Sequence, residues 1–300
     1  MAENLEETLR AGFVQALVRP METIDSVLQM RITAARLRAA KGGVSLVPTM
    51  GALHPGHEAL IAAAKAAGGA VVVSIFVNPL AFGSNENLAG YPRSPEKDLA
   101  LCESLGVDAV FIPQVQELYP KGYSTYVSEE GVSKPLCGLS RPTHFRGVTT
   151  LITKLFNIVG PARIVLGQKD VQHVAVIRKV TVDLNYDIEI LVVPTVREPD
   201  GLAVSVRNSN LTTKERQEAV SISQALRKAK EMVDSGVRST DRLVAEVTHI
   251  LGRHNRVRVI YASVVDPLTM EAVREVEPGK ALLCIAAWVD EVRLTDNVVL

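Results

Sequence analysis

The 300-residue chain sets 33 Lys and Arg against 33 Asp and Glu, a formal charge of zero that argues against a nucleic-acid coat or an anionic-membrane binder. With 47% apolar and 22% charged residues it can bury a sizeable core, in one large domain or two. Cys102, Cys137 and Cys284 are odd in number, far apart and in no paired spacing, which suggests neither a disulfide framework nor a zinc site and suits a reducing, cytoplasmic setting.

Residues 1–20 open acidic, with Glu3, Glu6 and Glu7, and lack the basic-then-apolar order of a signal peptide. They read as an N-terminal extension, either an added helix or a disordered arm. No apolar run approaches the roughly 20 residues that span a bilayer. Further on, β-branched runs predict strands at Ser45–Val47, Val71–Val77, Ala109–Ile112, Arg163–Leu166 and Ile188–Val193. Between them the apolar spacing predicts helices over Glu58–Ala67, Pro95–Leu105, Val148–Val159 and Val171–Val182. Strictly alternating strands and helices imply a parallel sheet with crossover helices. After about Thr195 the pattern changes. Thr212 and Glu215 form a capping box that starts a helix running to about Val233, and Leu243, Val247 and Leu251 mark one face of a second. Strands follow at Val257–Val265, Ala281–Trp288 and Glu291–Leu294, the last two joined at Asp290. Helices followed by clustered strands describe a small α+β unit.

The segment Pro48-Thr49-Met50-Gly51-Ala52-Leu53-His54-Pro55-Gly56-His57 follows the first of the predicted strands and leads into a helix. In open α/β sheets ligands gather at the carboxyl ends of strands, and helix N-terminal N–H groups favour phosphate. The glycines allow close approach, and imidazoles three residues apart can meet on one anionic group. The alternative is a pair of turn histidines that cap the helix. Gly167-Gln168-Lys169-Asp170 repeats the strand-then-helix setting. Lys169 suits a point-charge contact with phosphate, while Asp170 fits either ribose hydroxyls or a helix cap. Ser205 and Arg207, two apart on a segment read as extended, face one side and are phosphate-binding types, or else form a polar strand edge. The basic run Arg141-Pro142-Thr143-His144-Phe145-Arg146-Gly147 either borders the site or is a plain loop. His249 and His254 read as surface or structural residues.

In order, and over nearly the whole chain after about residue 21, these segments resemble the pantothenate synthetase family. The match is carried by Val47–His54, Gly56-His57, Ser74–Pro79, Tyr91-Pro92-Arg93, Arg141–Phe145, Gly147-Val148, Lys169-Asp170, Asp200–Ala203, Ser205 and Arg207-Asn208. The resemblance implies an α/β fold: a Rossmann-like nucleotidyltransferase domain with a parallel sheet over 21–195, and a small α+β C-terminal lid domain over 196–300. It implies an ATP-dependent, AMP-forming ligase. Pantoate attacks the α-phosphate of Mg-ATP to give an acyl-adenylate and pyrophosphate, and β-alanine then displaces AMP. His54, His57, Lys169, Ser205 and Arg207 fall at catalytic, phosphate-handling positions of the family and together imply a cationic cradle. Gly56, Gly167 and Asp170 fall at nucleotide contacts, Pro48, Thr49 and Met50 in the acid and nucleotide pocket, and Thr195 and Val196 beside adenine. Asn78 and Arg141 fall in the substrate pocket. ATP and Mg2+ are the implied cofactors, a small acid and an amine the partners, and a homodimer the assembly. Asp98 is a candidate ligand for Mg2+, which otherwise arrives with ATP.

The departures from the family's pattern lie on the acid side. Its Asn-Pro-x-Gln-Phe reads Asn78-Pro79-Leu80-Ala81-Phe82, its second glutamine after Lys-Asp is His173, beside Gln172, and its paired serines are Ser205 and Val206. In the family both glutamines hold pantoate, and each hydrogen bond lost to a buried hydroxyl costs about 1–3 kcal/mol. Two expectations follow: condensation of pantoate with β-alanine, or a related ligase for another small acid or amine. Nucleotidyl transfer without amide formation, and nucleotide binding without catalysis, are the remaining classes.

Overall fold

The computed structural model describes residues 20–83 and 87–300, so the extension expected over 1–20 lies, but for Pro20, outside the described residues. Six strands form one parallel sheet: β1 (Glu22–Ile24), β2 (Val44–Thr49), β3 (Ala70–Ile75), β4 (Ala109–Phe111), β5 (Arg163–Gly167) and β6 (Glu189–Val193). Their order is β1-β4-β3-β2-β5-β6. The helices are α1 (Val27–Lys41), α2 (Pro55–Ala66), α3 (Pro95–Ser104), the short α4 (Val115–Leu118) and α5 (Cys137–Ser140), α6 (His144–Val159) and α7 (Val171–Asp183).

Side-chain alternation along the strands divides the core between two faces. Leu46, Val72, Phe111 and Ile164 pack with Met30 and Leu37 of α1 and Leu155 and Phe156 of α6. Val47, Val71, Val73, Val110 and Val165 pack with Leu60, Ile61 and Ala64 of α2 and Cys102. β3 is buried at every position, as its near-continuous apolar run requires of a strand covered on both faces.

The predicted strands and helices of this region are all present, with ends shifted by a few residues. The periodicity reading missed β1 and α1. In α1 the buried stripe of Met30, Thr33, Ala34 and Leu37 is blurred by Leu28 and Ile32, which are 71% and 61% exposed. α6 begins at His144 rather than Val148, so the basic run enters the helix.

In the C-terminal part, α8 (Thr213–Asp234) and α9 (Thr240–Gly252) cover an antiparallel sheet of β7 (Val257–Val265), β8 (Leu282–Val289) and β9 (Val292–Val299). The capping box is formed: Thr212 Oγ1 accepts from the Glu215 N–H, and the Glu215 carboxylate accepts from the Thr212 N–H. A separate core of residues from Leu202 to Leu300 fills this layer. Asp290 turns the last hairpin with φ 46°. β9 runs on to Val299, past the predicted end at Leu294. Polar residues interrupt its apolar run where they bind the loops that leave the first sheet: Asp296 takes Arg197 in a bidentate pair at 2.6 and 3.1 Å, and Asn297 Nδ2 donates to the Gln168 and Lys169 carbonyls. An apolar seam of Leu136, Phe145 and Val176 against Val265, Met270 and Leu282 joins the two parts. Among the described residues, no helix is long and apolar enough to cross a membrane.

Candidate active site

From β2 the chain builds outward through β3 and β4 to one edge, and from β5 to β6 toward the other. The β2–β5 junction is therefore the switch point, where an open sheet leaves a crevice at its carboxyl ends. Both motifs read as phosphate-binding sit there, after β2 and after β5. The crevice is a cavity of about 370 Å3, closed from the far side by the C-terminal part. The residues expected to handle phosphate, nucleotide and acid all line it, and Asp98 does not.

The two histidines both cap the helix and line the cavity, so the two readings of them hold together. His54 is the N-cap of α2. Its Nδ1 accepts the Gly56 N–H at 3.1 Å, and His57 Nδ1 accepts the His54 N–H at 3.3 Å. A neutral ring that accepts at Nδ1 carries its proton on Nε2. The local fold therefore sets each imidazole as an Nε2–H donor, with ring centroids 4.0 Å apart. Gly56 is required for this: a Cβ there would lie 2.9 Å from His54 Cε1.

Burial, then the Lys169 charge, lowers the pKa of His54, and burial, then His54, lowers that of His57 to about 3. The pair is thus neutral at neutral pH. Within the expected cationic cradle the imidazoles are then neutral donors, and Lys169 and Arg207 are the charged members. Lys169 lies 3.6 Å from Asp170, whose side chain is 56% exposed to the cleft. Burial works to raise the Asp170 carboxyl, but Lys169, His173 and Arg207 outweigh it and hold it at about 2. Asp170 stands at the N-cap of α7 yet makes no side-chain cap bond, so its carboxylate stays turned to the cleft.

Ser205 and Arg207 do not share an extended segment. Ser205 caps a 3-10 turn over Val206–Asn210, its Oγ accepting the Arg207 N–H at 3.3 Å. Arg207 Nη1 donates to the Arg293 carbonyl on β9 at 2.9 Å, which anchors the guanidinium to the C-terminal sheet. Thr195 and Val196 line the cavity, and Thr195 Oγ1 is enclosed without a hydrogen-bond partner among the described residues.

Two expected ligand residues also hold the protein's own backbone. Asn78 lines the cavity at 2% exposure, but its Nδ2 donates to the Gly147 carbonyl and its Oδ1 accepts from the Leu80 N–H and Tyr119 Oη. Asp98, the Mg2+ candidate, is equally occupied: it accepts from the Ala52 and Leu53 N–H groups at 2.8 Å and from Ser94 Oγ at 3.0 Å. It clamps the loop before His54, where Ala52 is held at φ 51°. Sequence reading held His144 only as part of the basic run that either borders the site or is a plain loop, and left Tyr261 and Arg293 out of the site. Tyr261 and Arg293 come from a sheet whose approach to the cleft no local pattern announces.

An open parallel sheet with a switch-point cleft lined by fixed donors, a lysine and an arginine places the protein in the class of α/β proteins built around an anion-accommodating cleft. Within that class the chain belongs to the pantoate-beta-alanine ligase family, whose sequence profile matches residues 22–299. Pantothenate synthetase from Thermotoga neapolitana is 46% identical over 280 residues, 93% of this chain and 100% of that protein. The Acidobacterium capsulatum enzyme of the same name is 51% identical over 257 residues, 86% of each. The crystal structure of pantothenate synthetase from Thermus thermophilus shares the fold with a TM-score of 0.88 at 38% identity, covering 93% of this chain and 99% of that one. The pantoate-beta-alanine ligase of Francisella tularensis, complexed with beta-gamma ATP and beta-alanine, has a TM-score of 0.75 at 30% identity, covering 93% and 97%.

Proposed function

We propose that this chain condenses pantoate with β-alanine, using ATP and forming AMP, in the cleft between β2 and β5. The observation that carries the reading is the pairing of two Nε2–H donors with Lys169 and Arg207 across one cavity. In the first step a carboxylate oxygen attacks the α-phosphorus and the bond to pyrophosphate breaks. Negative charge grows on phosphate oxygens, where preorganised donors and cations act most strongly. His54 and His57 supply donors that need no reorganisation, because their tautomers are set by backbone N–H groups. Lys169 and Arg207 supply charge, and Ser205 holds the turn that presents Arg207. In the second step the free amine of β-alanine attacks the acyl carbon, the C–O bond to AMP breaks, and the amine's surplus proton leaves to solvent.

Gly167, Asp170, Thr195 and Val196 serve the nucleotide in this reading, Pro48, Thr49 and Met50 border nucleotide and acid, and Ala81, Arg141, His173 and Val206 border the acid. In this reading Mg2+ enters with ATP, where it would offset charge on the phosphates. The proposal includes a homodimer, supported by the exposed apolar pair Leu28 and Ile32 one turn apart on α1. It also includes a cytoplasmic setting, supported by three free, buried cysteines.

The test is pyrophosphate release with Mg-ATP and pantoate, followed by β-alanine. The expected result is pantoate-dependent pyrophosphate, then AMP and pantothenate in equal amounts. Pyrophosphate release with another acid but not pantoate would replace the substrate, and release without amide formation would leave a nucleotidyltransferase.

A further inference from the structure

The acid side of the cavity is walled by an imidazole pair. His144, on the first turn of α6, is 7% exposed, and its Nδ1 lies 2.8 Å from the Ala81 carbonyl oxygen. A carbonyl only accepts, so the proton sits on His144 Nδ1. In the neutral ring Nε2 then carries a lone pair. His173 Nε2 lies 2.9 Å from it and must donate. That leaves the last ring nitrogen, His173 Nδ1, without a proton. His173 lines the cavity, and its Nδ1 has no partner among the described residues.

Both rings are held neutral, as this chain of bonds requires. For His144 burial acts first, then His173 and Arg141, and its pKa lies well below the ordinary value. For His173 burial again leads; Asp170 opposes it, Arg141, Lys169 and Arg293 reinforce it, and the result is about 4. The neighbouring amide is no substitute reader. Gln172 Oε1 accepts the Cys137 N–H, and its Nε2 donates to the Val132 and Pro135 carbonyls, so it holds the loop before α5.

We propose that the Ala81 carbonyl–His144–His173 chain makes His173 Nδ1 an obligate acceptor at the acid end of the cleft, so that the protein selects hydroxy acids over their oxo or deoxy counterparts. This deepens the reading of the cleft as an acid-activating site and rests on it. A hydroxyl donates to Nδ1. A ketone at the same position sets lone pair against lone pair, and a methylene leaves the acceptor dry and unpaired. An amide side chain, which turns to offer either N–H or oxygen, would not separate alcohol from ketone in this way. Selectivity thus arises from a proton arrangement dictated two residues away by a backbone carbonyl.

Two measurements test it. The first is pyrophosphate release with pantoate, its 2-oxo analogue and its 2-deoxy analogue. The wild-type chain should favour pantoate roughly tenfold to hundredfold in kcat/KM over at least one analogue. That ratio should fall several-fold in His173→Gln, and also in His144→Phe, which keeps His173 but frees its tautomer. Equal use of all three acids, or an unchanged ratio in both variants, overturns the proposal. The second is nitrogen NMR of the histidine rings in the free protein, assigned with His173→Gln. An unprotonated His173 Nδ1 is expected, and an Nδ1–H form overturns the proposal whatever the activity. If no acid releases pyrophosphate while the tautomer is as stated, it is the reading of the cleft that fails.

Discussion

Gly56 shows how a single residue type serves both the helix and the cleft. An added Cβ would lie 2.9 Å from His54 Cε1 and 3.0 Å from its Nδ1, closer than packed atoms come, so the ring must move. Gly56→Ala is otherwise suited to its place, since alanine favours helix by about 1 kcal/mol over glycine in an interior position and somewhat less near an end. Stability and activity should therefore separate. We expect the melting temperature to be unchanged or slightly raised and kcat for pyrophosphate release to fall about tenfold or more, since each 1.4 kcal/mol of lost transition-state stabilisation is about a factor of ten. A variant that melts early and keeps kcat would show that the ring's position is unimportant. The residue types at this point were legible in the sequence: a strand, two glycines, two histidines and a helix. Their protonation was not, because it depends on which backbone N–H each Nδ1 accepts.

At the scale of elements, the loop from β2 to α2 is held by α3. Asp98 is 2% exposed and gives both oxygens to the Ala52 and Leu53 N–H groups and Ser94 Oγ. A carboxylate only accepts, and the loop presents only donors to it. Asp98→Asn turns one acceptor into an N–H2 that faces another N–H, at a cost of about 1–3 kcal/mol. The expected outcome is a loss of unfolding free energy by that amount together with a lower kcat, read by equilibrium urea unfolding and initial rates on the same preparation. An unchanged kcat would separate this clamp from the imidazoles it follows in space. The sequence showed Asp98 as an acid in the first turn of a helix, which has several uses. That it braces a loop 45 residues away follows from β2 and β3 lying side by side, which brings together the segments that leave their carboxyl ends. The same distinction holds for Asn78 and Gln172: their nearness to the site could be read, but the hydrogen bonds that tie them to other groups of the protein could not. Strands with continuous apolar runs and helices with a clean stripe were legible, whereas α1 was masked by apolar residues on its outer face, and the end of β9 by polar residues that bind the other half of the protein.

The whole molecule gathers four histidines, His54, His57, His144 and His173, around one cavity, and each is held below its ordinary pKa chiefly by burial. An unfolded histidine titrates at about 6.5. Between that value and the folded pKa, about 3 for His57 and about 4 for His173, the unfolded chain binds protons that the folded chain does not. Stability therefore rises with pH in this window and is lost as pH falls below about 6.5. The linkage is roughly 2 kcal/mol per such histidine at pH 5, which is large against a typical total of about 5–15 kcal/mol. Asp170 shares the direction of that dependence but acts in a different window. Its folded pKa of about 2 stabilises the protein above its unfolded value of about 4, and that contribution fades only at lower pH. Urea unfolding at pH 7, 6 and 5 should thus give falling midpoints well before the carboxylates protonate. His57→Gln should flatten the curve by about one histidine's share. A midpoint that stays level from pH 7 to pH 5 would mean that these rings accept protons freely in the folded protein, and the fixed donors assigned to the phosphate side of the cleft would be lost with them.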